Sequence, residues 1–209
     1  MMSITGSVYS RASTLPSMLD TVGVIAIQGD YERHATAIRT CAPGVAVLEV
    51  RTPEQLEGVD RVILPGGEST TVGLLMERYG LGEALRVRAS QGMPMWGTCM
   101  GMILMASGVV GRSQYTLDLL DIDVERNAFG AQVHSFEDRV PIVGLESPVM
   151  GVFIRAPIVV RTGPEVEVLG RYGEHIVAVR QGSLLGTSFH PELTDDTRLH
   201  EWFLRFPLP

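Results

Sequence analysis

The sequence predicts a single α/β domain in which a mixed, mostly parallel central sheet is flanked by helices. The chain has 209 residues, 45% of them hydrophobic, which suits one domain with a sizeable core. Over residues 21–108, short apolar runs alternate with helical patterns, an order typical of parallel strands joined by helices. From about residue 115, short strands follow one another between turn residues, which indicates mixed or antiparallel pairing.

In the first half of the chain, each predicted strand is a short apolar or β-branched run that ends at turn residues. The strands are TVGVIAIQG (21–29), VAVLEV (45–50), RVILPGG (61–67) and MPMWG (93–97). Helical patterns follow them, and glycine or proline marks the end of several. The helices are YERHATAIRTCA (31–42), TTVGLLMERYG (70–80), LGEALRVRASQG (81–92) and MILMASG (102–108).

In the second half, short strands predominate and one amphipathic helix closes the chain. The predicted strands lie within 116–129, 149–160, 166–170, 175–182 and 184–190, and the helix covers 195–206.

The composition narrows the class of protein. Residues 1–20 are rich in Ser and Thr and are predicted to be a loose tail, so that 21–209 form the domain. We hypothesise that translation begins naturally at Met18.

A net charge of −7 argues against a nucleic-acid binder, and no apolar run approaches a membrane span or a signal peptide. Only two cysteines are present, Cys41 and Cys99, which favours a reducing, cytoplasmic setting without a disulfide.

One cysteine stands between two glycines in Gly97-Thr98-Cys99-Met100-Gly101, at the junction of a predicted strand and helix. This layout is typical of a nucleophile elbow, a turn so sharp that side chains two places away would collide. Such a turn presents the sulfur at the sheet edge and at a helix N-terminus, which favours a thiolate. The alternative is a buried structural cysteine whose glycines serve packing alone.

A candidate base follows a later strand. His190 is followed by Pro191 and Glu192, and Pro191 is expected to keep the segment extended, so that positions 190 and 192 face the same way. Glu192 could then orient the imidazole for Cys99. The alternative is a surface turn. The remaining histidines are interpreted as surface or ordinary polar positions, without metal-ligand spacing; they are His34, His134, His175 and His200.

The segment LPGGEST (64–70) follows a buried strand and predicts a ligand-binding turn. Gly66 and Gly67 allow the backbone to approach a ligand and direct its N–H groups toward it. Ser69 and Thr70 could cap the next helix, with Glu68 near its positive end. A plain strand-to-helix turn is the alternative.

Seven motifs together resemble the class I, triad-type glutamine amidotransferases, and more narrowly the glutaminase subunits of pyridoxal 5'-phosphate synthase. They run in that family's order across residues 22–206. The motifs are QGDYERH, LPGGESTT, GTCMGMILMA, VERNAFG, GVFIRAP, VAVRQG and SFHPELTDD. The resemblance implies a flavodoxin-like fold for the domain.

The resemblance also implies residue roles. Cys99 would be the nucleophile, His190 the base and acid, and Glu192 the orienter. Backbone N–H groups of Gly67 and Met100 would form the oxyanion hole, and Gln28 would lie nearby and respond to the partner subunit. Further residues would bind the glutamine substrate; they are Gly67, Glu68, Ser69, Arg126, Ile154 and Arg155. An arginine suits the substrate's α-carboxylate because it can donate two parallel hydrogen bonds.

The implied activity is hydrolysis of L-glutamine to L-glutamate and ammonia, without a metal or cofactor. The ammonia would pass to a separate (β/α)8 synthase subunit, which forms a ring-shaped core and makes pyridoxal 5'-phosphate. Three features depart from the family pattern: Met100 replaces alanine, VGLL (72–75) replaces a basic segment, and His134 replaces aspartate. Two alternative functions are considered. One is a cysteine hydrolase or chaperone-like protein with a similar elbow, and the other is a catalytically silent interaction subunit.

Overall fold

The computed structural model describes residues 20–128 and 135–206, and its centre is a ten-stranded sheet covered by helices on both faces. The strands of this described part are β1 (Thr21–Ile25), β2 (Ala46–Val50), β3 (Arg61–Leu64), β4 (Met95–Thr98), β5 (Ala106–Val109), β6 (Leu120–Glu125), β7 (Phe136–Val140), β8 (Val149–Phe153), β9 (Ile158–Thr162), β10 (Glu167–Tyr172), β11 (His175–Gln181) and β12 (Leu184–Thr187). The helices are α1 (Tyr31–Cys41), α2 (Ser69–Arg78), α3 (Leu81–Ser90), α4 (Met100–Met105) and α5 (Arg198–Leu204).

The sheet is mixed and mostly parallel, as the sequence predicts. Its order is β2-β1-β3-β4-β12-β11-β9-β6-β5, with β10 paired to β11. The first five strands in that order are parallel to one another, and so are β5 and β6. Antiparallel pairs join β12, β11, β9 and β6. The carboxyl ends of β1, β3, β4 and β12 therefore meet at one edge, where ligands commonly bind in such sheets.

Each face of the sheet has its own apolar layer. Helices α2 and α4 pack on one face over a cluster that includes Met76 and Leu104, while α1 and α5 pack together on the other around Trp96. Five methionines near the elbow fill the core, since all five are buried. They are Met93, Met95, Met100, Met102 and Met105.

Several boundaries shift from those predicted, and three differences change which strands form. The helix over 102–108 ends at Met105, because Ala106 turns extended and starts β5, which pairs with β6. The run 149–160 is not one strand but two in different sheets, since the chain bends at Arg155, whose φ is 47°. Strand β7 was not predicted, because its sequence FEDRV is mostly polar and exposed; it pairs with β8 in a separate two-stranded sheet.

The turn between β4 and α4 depends on two glycines. A Cβ at Gly97 would lie 2.4 Å from the carbonyl carbon of Gly101, and a Cβ at Gly101 would lie 1.9 Å from the carbonyl oxygen of Leu64. Between them, Cys99 adopts φ 49° and ψ −104°, a backbone conformation that side-chain-bearing residues rarely take. The predicted elbow geometry is confirmed, and its cause is backbone packing against the neighbouring strand β3.

Replacing Gly101 by alanine should destabilise the fold, because backbone atoms of β3 and α4 would have to separate. We expect Gly101→Ala to lower the free energy of unfolding by about 2 to 3 kcal/mol, measured by urea denaturation. Gly58→Ala is the matched control, since a Cβ there meets nothing within 4 Å, and its effect should stay within about 0.5 kcal/mol. Equal stability of the two variants would contradict this account of the elbow.

Candidate active site

A cavity of about 360 Å³ opens at the sheet edge where β1, β3, β4 and β12 end. Its wall contains Cys99 and His190 together with most of the other residues singled out from the sequence. These are Gln28, Gly67, Glu68, Ser69, Met100, Arg126, Ile154 and Arg155. Glu192 does not line the cavity, because it lies behind His190 and is buried. The fold thus brings every predicted site residue to one place, while their roles in chemistry and binding stay predictions.

The nucleophile candidate is held by a backbone hydrogen bond to the neighbouring strand β12. The N–H of Cys99 donates to the carbonyl of Thr187 at 2.7 Å, which ties the elbow to the end of β12. The thiol is only 7% exposed, and its sulfur lies 3.9 Å from the carbonyl oxygen of Ile154. The sulfur is therefore confined to the cavity wall instead of being sealed in the core.

His190 connects the cysteine to the carboxylate. Its Nδ1 lies 2.7 Å from Glu192 Oε1, which leaves Nε2 for Cys99, and the side chains of Cys99 and His190 interact. Its backbone N–H donates to the carbonyl of Val152 at 2.8 Å, which fixes the segment after β12 that carries it. A Cβ at Gly66 would lie 2.2 Å from His190 Cε1, so glycine is required there for the imidazole to occupy this position.

The contact between His190 and Glu192 was predicted to arise from an extended segment, and this prediction is wrong. Residues Pro191–Leu193 form a 3₁₀ turn and are not extended. Proline suits the first position of such a turn, because it has no N–H to leave unpaired and its φ is already set. The turn folds the Glu192 side chain back under the imidazole, so the contact arises from a tight turn and not from alternation along a strand.

Burial and charge act against each other in the His190–Glu192 pair. Burial alone lowers the pKa of His190, but interactions with Cys99 and Glu192 outweigh it and raise that pKa to about 10. Burial alone raises the pKa of Glu192, whereas the nearby His34 and His190 lower it to about 2. Near neutral pH the pair is therefore an ionised carboxylate beside an imidazolium.

Two histidines interpreted as surface or ordinary polar positions are neither. His34 and His200 have no solvent exposure, and His34 Nε2 lies 3.3 Å from Glu192 Oε2. Each histidine stands on a helix among polar residues, which resembles a solvated face in the sequence. The close packing of α1 against α5 buries both. His175 is half-buried, and His134 lies outside the described residues, as does most of the predicted tail including Met18.

The glycine turn after β3 presents its backbone to the cavity. Gly67 has φ 151°, and Met100 lies close enough that a Cβ at Gly67 would be 3.2 Å from its Cε. The Gln28 side-chain oxygen accepts a hydrogen bond from the Glu68 N–H at 3.0 Å. Gln28 thus holds the turn in the present conformation, and the long Met100 side chain fills space beside it.

The prediction named the wrong residues as the cap of the next helix, α2. Glu68, and not Ser69 or Thr70, caps α2: its carboxylate accepts from the N–H groups of Thr70 at 3.1 Å and Thr71 at 2.7 Å. These hydrogen bonds, that to Thr71 foremost, lower the pKa of Glu68 to about 2. Ser69 is instead the first residue of the helix and is buried.

Gln114 was not predicted, and it links two residues that were. Its side chain bonds Ser69 Oγ, at 3.2 Å from the amide nitrogen, and accepts from Arg126 Nη1 at 3.0 Å. Arg126 also lies 3.5 Å from Glu68 Oε1. No motif marks Gln114, since it lies in an irregular segment between β5 and β6. Arg155 reaches the cavity because its left-handed backbone turns the chain there.

The described residues contain no group of three His, Cys, Asp or Glu side chains placed to hold a metal ion. Within the same part of the chain, no helix is long and apolar enough to cross a membrane. Both described thiols, Cys41 and Cys99, are free.

Known proteins resemble this chain over most of its length. The subunit "Pyridoxal 5'-phosphate synthase subunit PdxT" of Geobacillus kaustophilus is 52% identical over 183 residues, which is 88% of this chain and 92% of that protein. Its counterpart in Acidothermus cellulolyticus is 51% identical over 199 residues, or 91% and 95% of the two chains.

A solved structure agrees with this resemblance. The crystal structure of a glutamine amidotransferase superposes with a TM-score of 0.84 at 49% identity and covers 88% of this chain and 97% of that one. The model of the SNO glutamine amidotransferase family matches residues 24–207. Because the match spans nearly the whole chain and includes the elbow and the His-Pro-Glu turn, the chain belongs to the SNO glutamine amidotransferase family.

Proposed function

We propose that the protein is the glutaminase subunit of a pyridoxal 5'-phosphate synthase and hydrolyses L-glutamine through Cys99, His190 and Glu192. The observation that carries this proposal is the elbow. A cysteine on a strained strand-to-helix turn lies at a cavity wall, beside an imidazole whose other nitrogen is bonded to a buried carboxylate. That arrangement activates a sulfur nucleophile.

The first chemical step forms a thioester. The Cys99 thiolate attacks the side-chain amide carbon of glutamine, and backbone N–H groups such as that of Met100 stabilise the oxyanion. The tetrahedral intermediate then collapses and breaks the C–N bond. His190, an imidazolium near neutral pH, gives its proton to the departing nitrogen, which leaves as ammonia.

The second step releases glutamate. His190, now neutral, takes a proton from water, and the resulting hydroxide attacks the thioester carbonyl. Collapse of this second intermediate breaks the C–S bond and returns the thiolate. Glu192 stays ionised throughout and holds Nδ1 of the imidazole at 2.7 Å, so that Nε2 faces the reacting atoms in both steps.

The cavity supports recognition of a free amino acid. Arg126 and Arg155 line it and can bind a carboxylate. Arg126 has five N–H donors, gives one to Gln114 and lies 3.5 Å from Glu68 Oε1, so further donors remain for a ligand. A volume of about 360 Å³ suits a small polar molecule such as glutamine. The two arginines, which match a free α-carboxylate, favour a glutaminase over a peptidase-like cysteine hydrolase.

The ammonia requires a recipient, because free ammonia protonates and diffuses away in water. Relatives about 50% identical are named as subunits of pyridoxal 5'-phosphate synthase. We propose that a separate synthase subunit docks near the cavity and receives the ammonia directly. Gln28 holds the glycine turn in its present form, which gives docking a contact through which it could rearrange the oxyanion site.

Loss of the nucleophile should abolish glutamine use and spare the synthase reaction. In a mixture of this chain and its candidate synthase, Cys99→Ala should release no glutamate above background. Cofactor formation should continue when ammonium salt replaces glutamine. Glutamate is measured by a coupled dehydrogenase assay and the cofactor by its absorbance. Cys41→Ala is the control and should behave like the wild type, because Cys41 lies on α1 outside the cavity.

A Cys99→Ala protein that still hydrolysed glutamine at the normal rate would contradict the proposed chemistry. Equal glutaminase rates of the wild type with and without the synthase would contradict the docking. Release of peptides instead of glutamate would favour the cysteine hydrolase, and no activity at all would favour the silent subunit.

Neutralising the triad carboxylate should move the pH profile. The Glu192 charge is one cause of the raised His190 pKa, so Glu192→Gln should lower that pKa. The imidazolium that protonates the leaving nitrogen is lost as pH rises through this pKa. The alkaline limb of kcat/KM should therefore shift down by about one to three pH units. Glu83→Gln, a substitution on the exposed face of α3, should leave the profile unchanged. An unmoved alkaline limb in Glu192→Gln would remove Glu192 from this role.

A further inference from the structure

A buried pair of histidines lies directly behind the triad carboxylate. His34 on α1 and His200 on α5 are fully buried, with His34 Nδ1 3.0 Å from His200 Nε2. The other ring nitrogen, His34 Nε2, lies 3.3 Å from Glu192 Oε2 and 3.2 Å from Thr98 Oγ1. His34 therefore touches both the carboxylate that orients the base and the residue that precedes the nucleophile.

Glu192 needs a donor on this side. Its Oε1 accepts from His190, while Oε2 is buried and makes no hydrogen bond in the described chain. A buried carboxylate oxygen without a donor costs stability and leaves the side chain free to rotate. His34 Nε2 lies 3.3 Å from this oxygen and is close enough to supply the donor.

The surroundings of His34 and His200 favour one tautomer of each ring. If His34 carried its proton on Nδ1, the bare Nε2 lone pair would face a carboxylate oxygen at 3.3 Å, which is repulsive. With the proton on Nε2, His34 has two acceptors within reach, Thr98 Oγ1 at 3.2 Å and Glu192 Oε2 at 3.3 Å. Its Nδ1 then accepts from the Nε2–H of His200. His200 Nδ1 has no hydrogen-bond partner among the described residues, which fits a nitrogen without a proton.

Burial disfavours a charge on either ring. Burial lowers the pKa of His34, and burial together with His34 lowers the pKa of His200 to about 3. The titratable groups that face the two rings are Glu192, His190, Asp30 and Asp196. A neutral His34 can donate a hydrogen bond to Glu192, while the carboxylate charge still pairs with the imidazolium of His190.

The rings cannot easily turn away. The Trp96 indole packs edge-on against both, with ring centroids 5.8 Å from His34 and 5.0 Å from His200. Trp96 is itself fixed by a 3.0 Å hydrogen bond from Nε1 to Thr187 Oγ1. The donor at His34 Nε2 is thus presented in a fixed direction.

We propose that His34 is a positioning residue: its Nε2–H donates to Glu192 Oε2 and fixes the carboxylate in the rotamer that orients His190, while His200 sets the His34 tautomer. This inference deepens the proposed function and rests on it. His34 and His200 touch no substrate in this account. They act through Glu192.

Two variants of His34 separate positioning from mere packing. His34→Leu fills a similar volume without a donor, whereas His34→Gln places an amide N–H near the position of Nε2. In the synthase complex, His34→Leu should lower kcat roughly 10- to 100-fold with little change in KM, the loss expected for one hydrogen bond to a charged group. His34→Gln should recover most of this loss.

The control is Ile38→Ala, which removes core packing from the same helix α1 without touching the triad. It should lower the melting temperature at least as much as His34→Leu and leave kcat near that of the wild type. Equal losses of kcat in His34→Leu and His34→Gln, or no loss in either, would overturn the proposal. Absence of glutaminase activity in the wild-type complex would instead overturn the proposed function.

A second measurement does not depend on activity. Histidine-¹⁵N NMR of the wild-type chain should show two side chains that remain neutral between pH 6 and 8, each with its proton on Nε2. His34→Gln and His200→Leu assign the signals, and either assignment suffices if the other variant fails to fold. A His34 ring that is protonated on Nδ1, or that titrates in this range, would overturn the proposal.

Discussion

The conformation of Cys99 is the constraint on which the rest of the site depends. A side-chain-bearing residue at φ 49° and ψ −104° is strained by roughly 1 to 3 kcal/mol and persists only where its surroundings impose it. Here the imposing atoms are backbone: the Gly97–Gly101 contact, the Leu64 carbonyl and the 2.7 Å bond to Thr187. The sulfur is thus aimed by three strands of the sheet, and His190 can meet it only because Gly66 leaves room.

A second constraint comes from the ionised carboxylate beneath the site. A buried Glu192 requires partners on both oxygens, and these come from different parts of the fold. Oε1 meets His190 on the same 3₁₀ turn, while Oε2 faces His34 on α1, backed by His200 on α5. The helical layer on this face therefore does more than cover the sheet, because it places the His34 ring beside the buried carboxylate.

The sequence was sufficient for those features that depend on local spacing. The glycines around Cys99 predict the elbow because the collision they avoid is local, and alternating elements predict the parallel half of the sheet. Contacts across the chain were not accessible: His34 and His200 are 166 residues apart, and only the packing of α1 on α5 joins them. Gln114 and β5 were not predicted for a related reason. The contacts of Gln114 and the pairing of β5 with β6 are tertiary, and no local sequence pattern indicates them.

The most direct test of the account is to identify the covalent intermediate. The chain with its synthase is mixed with glutamine, quenched with acid during turnover, digested, and examined by mass spectrometry. The account predicts a glutamyl thioester on the peptide that contains Cys99, and its loss on treatment with hydroxylamine. A glutamyl adduct on another residue, or steady glutamate release with Cys99 unmodified throughout, would contradict it.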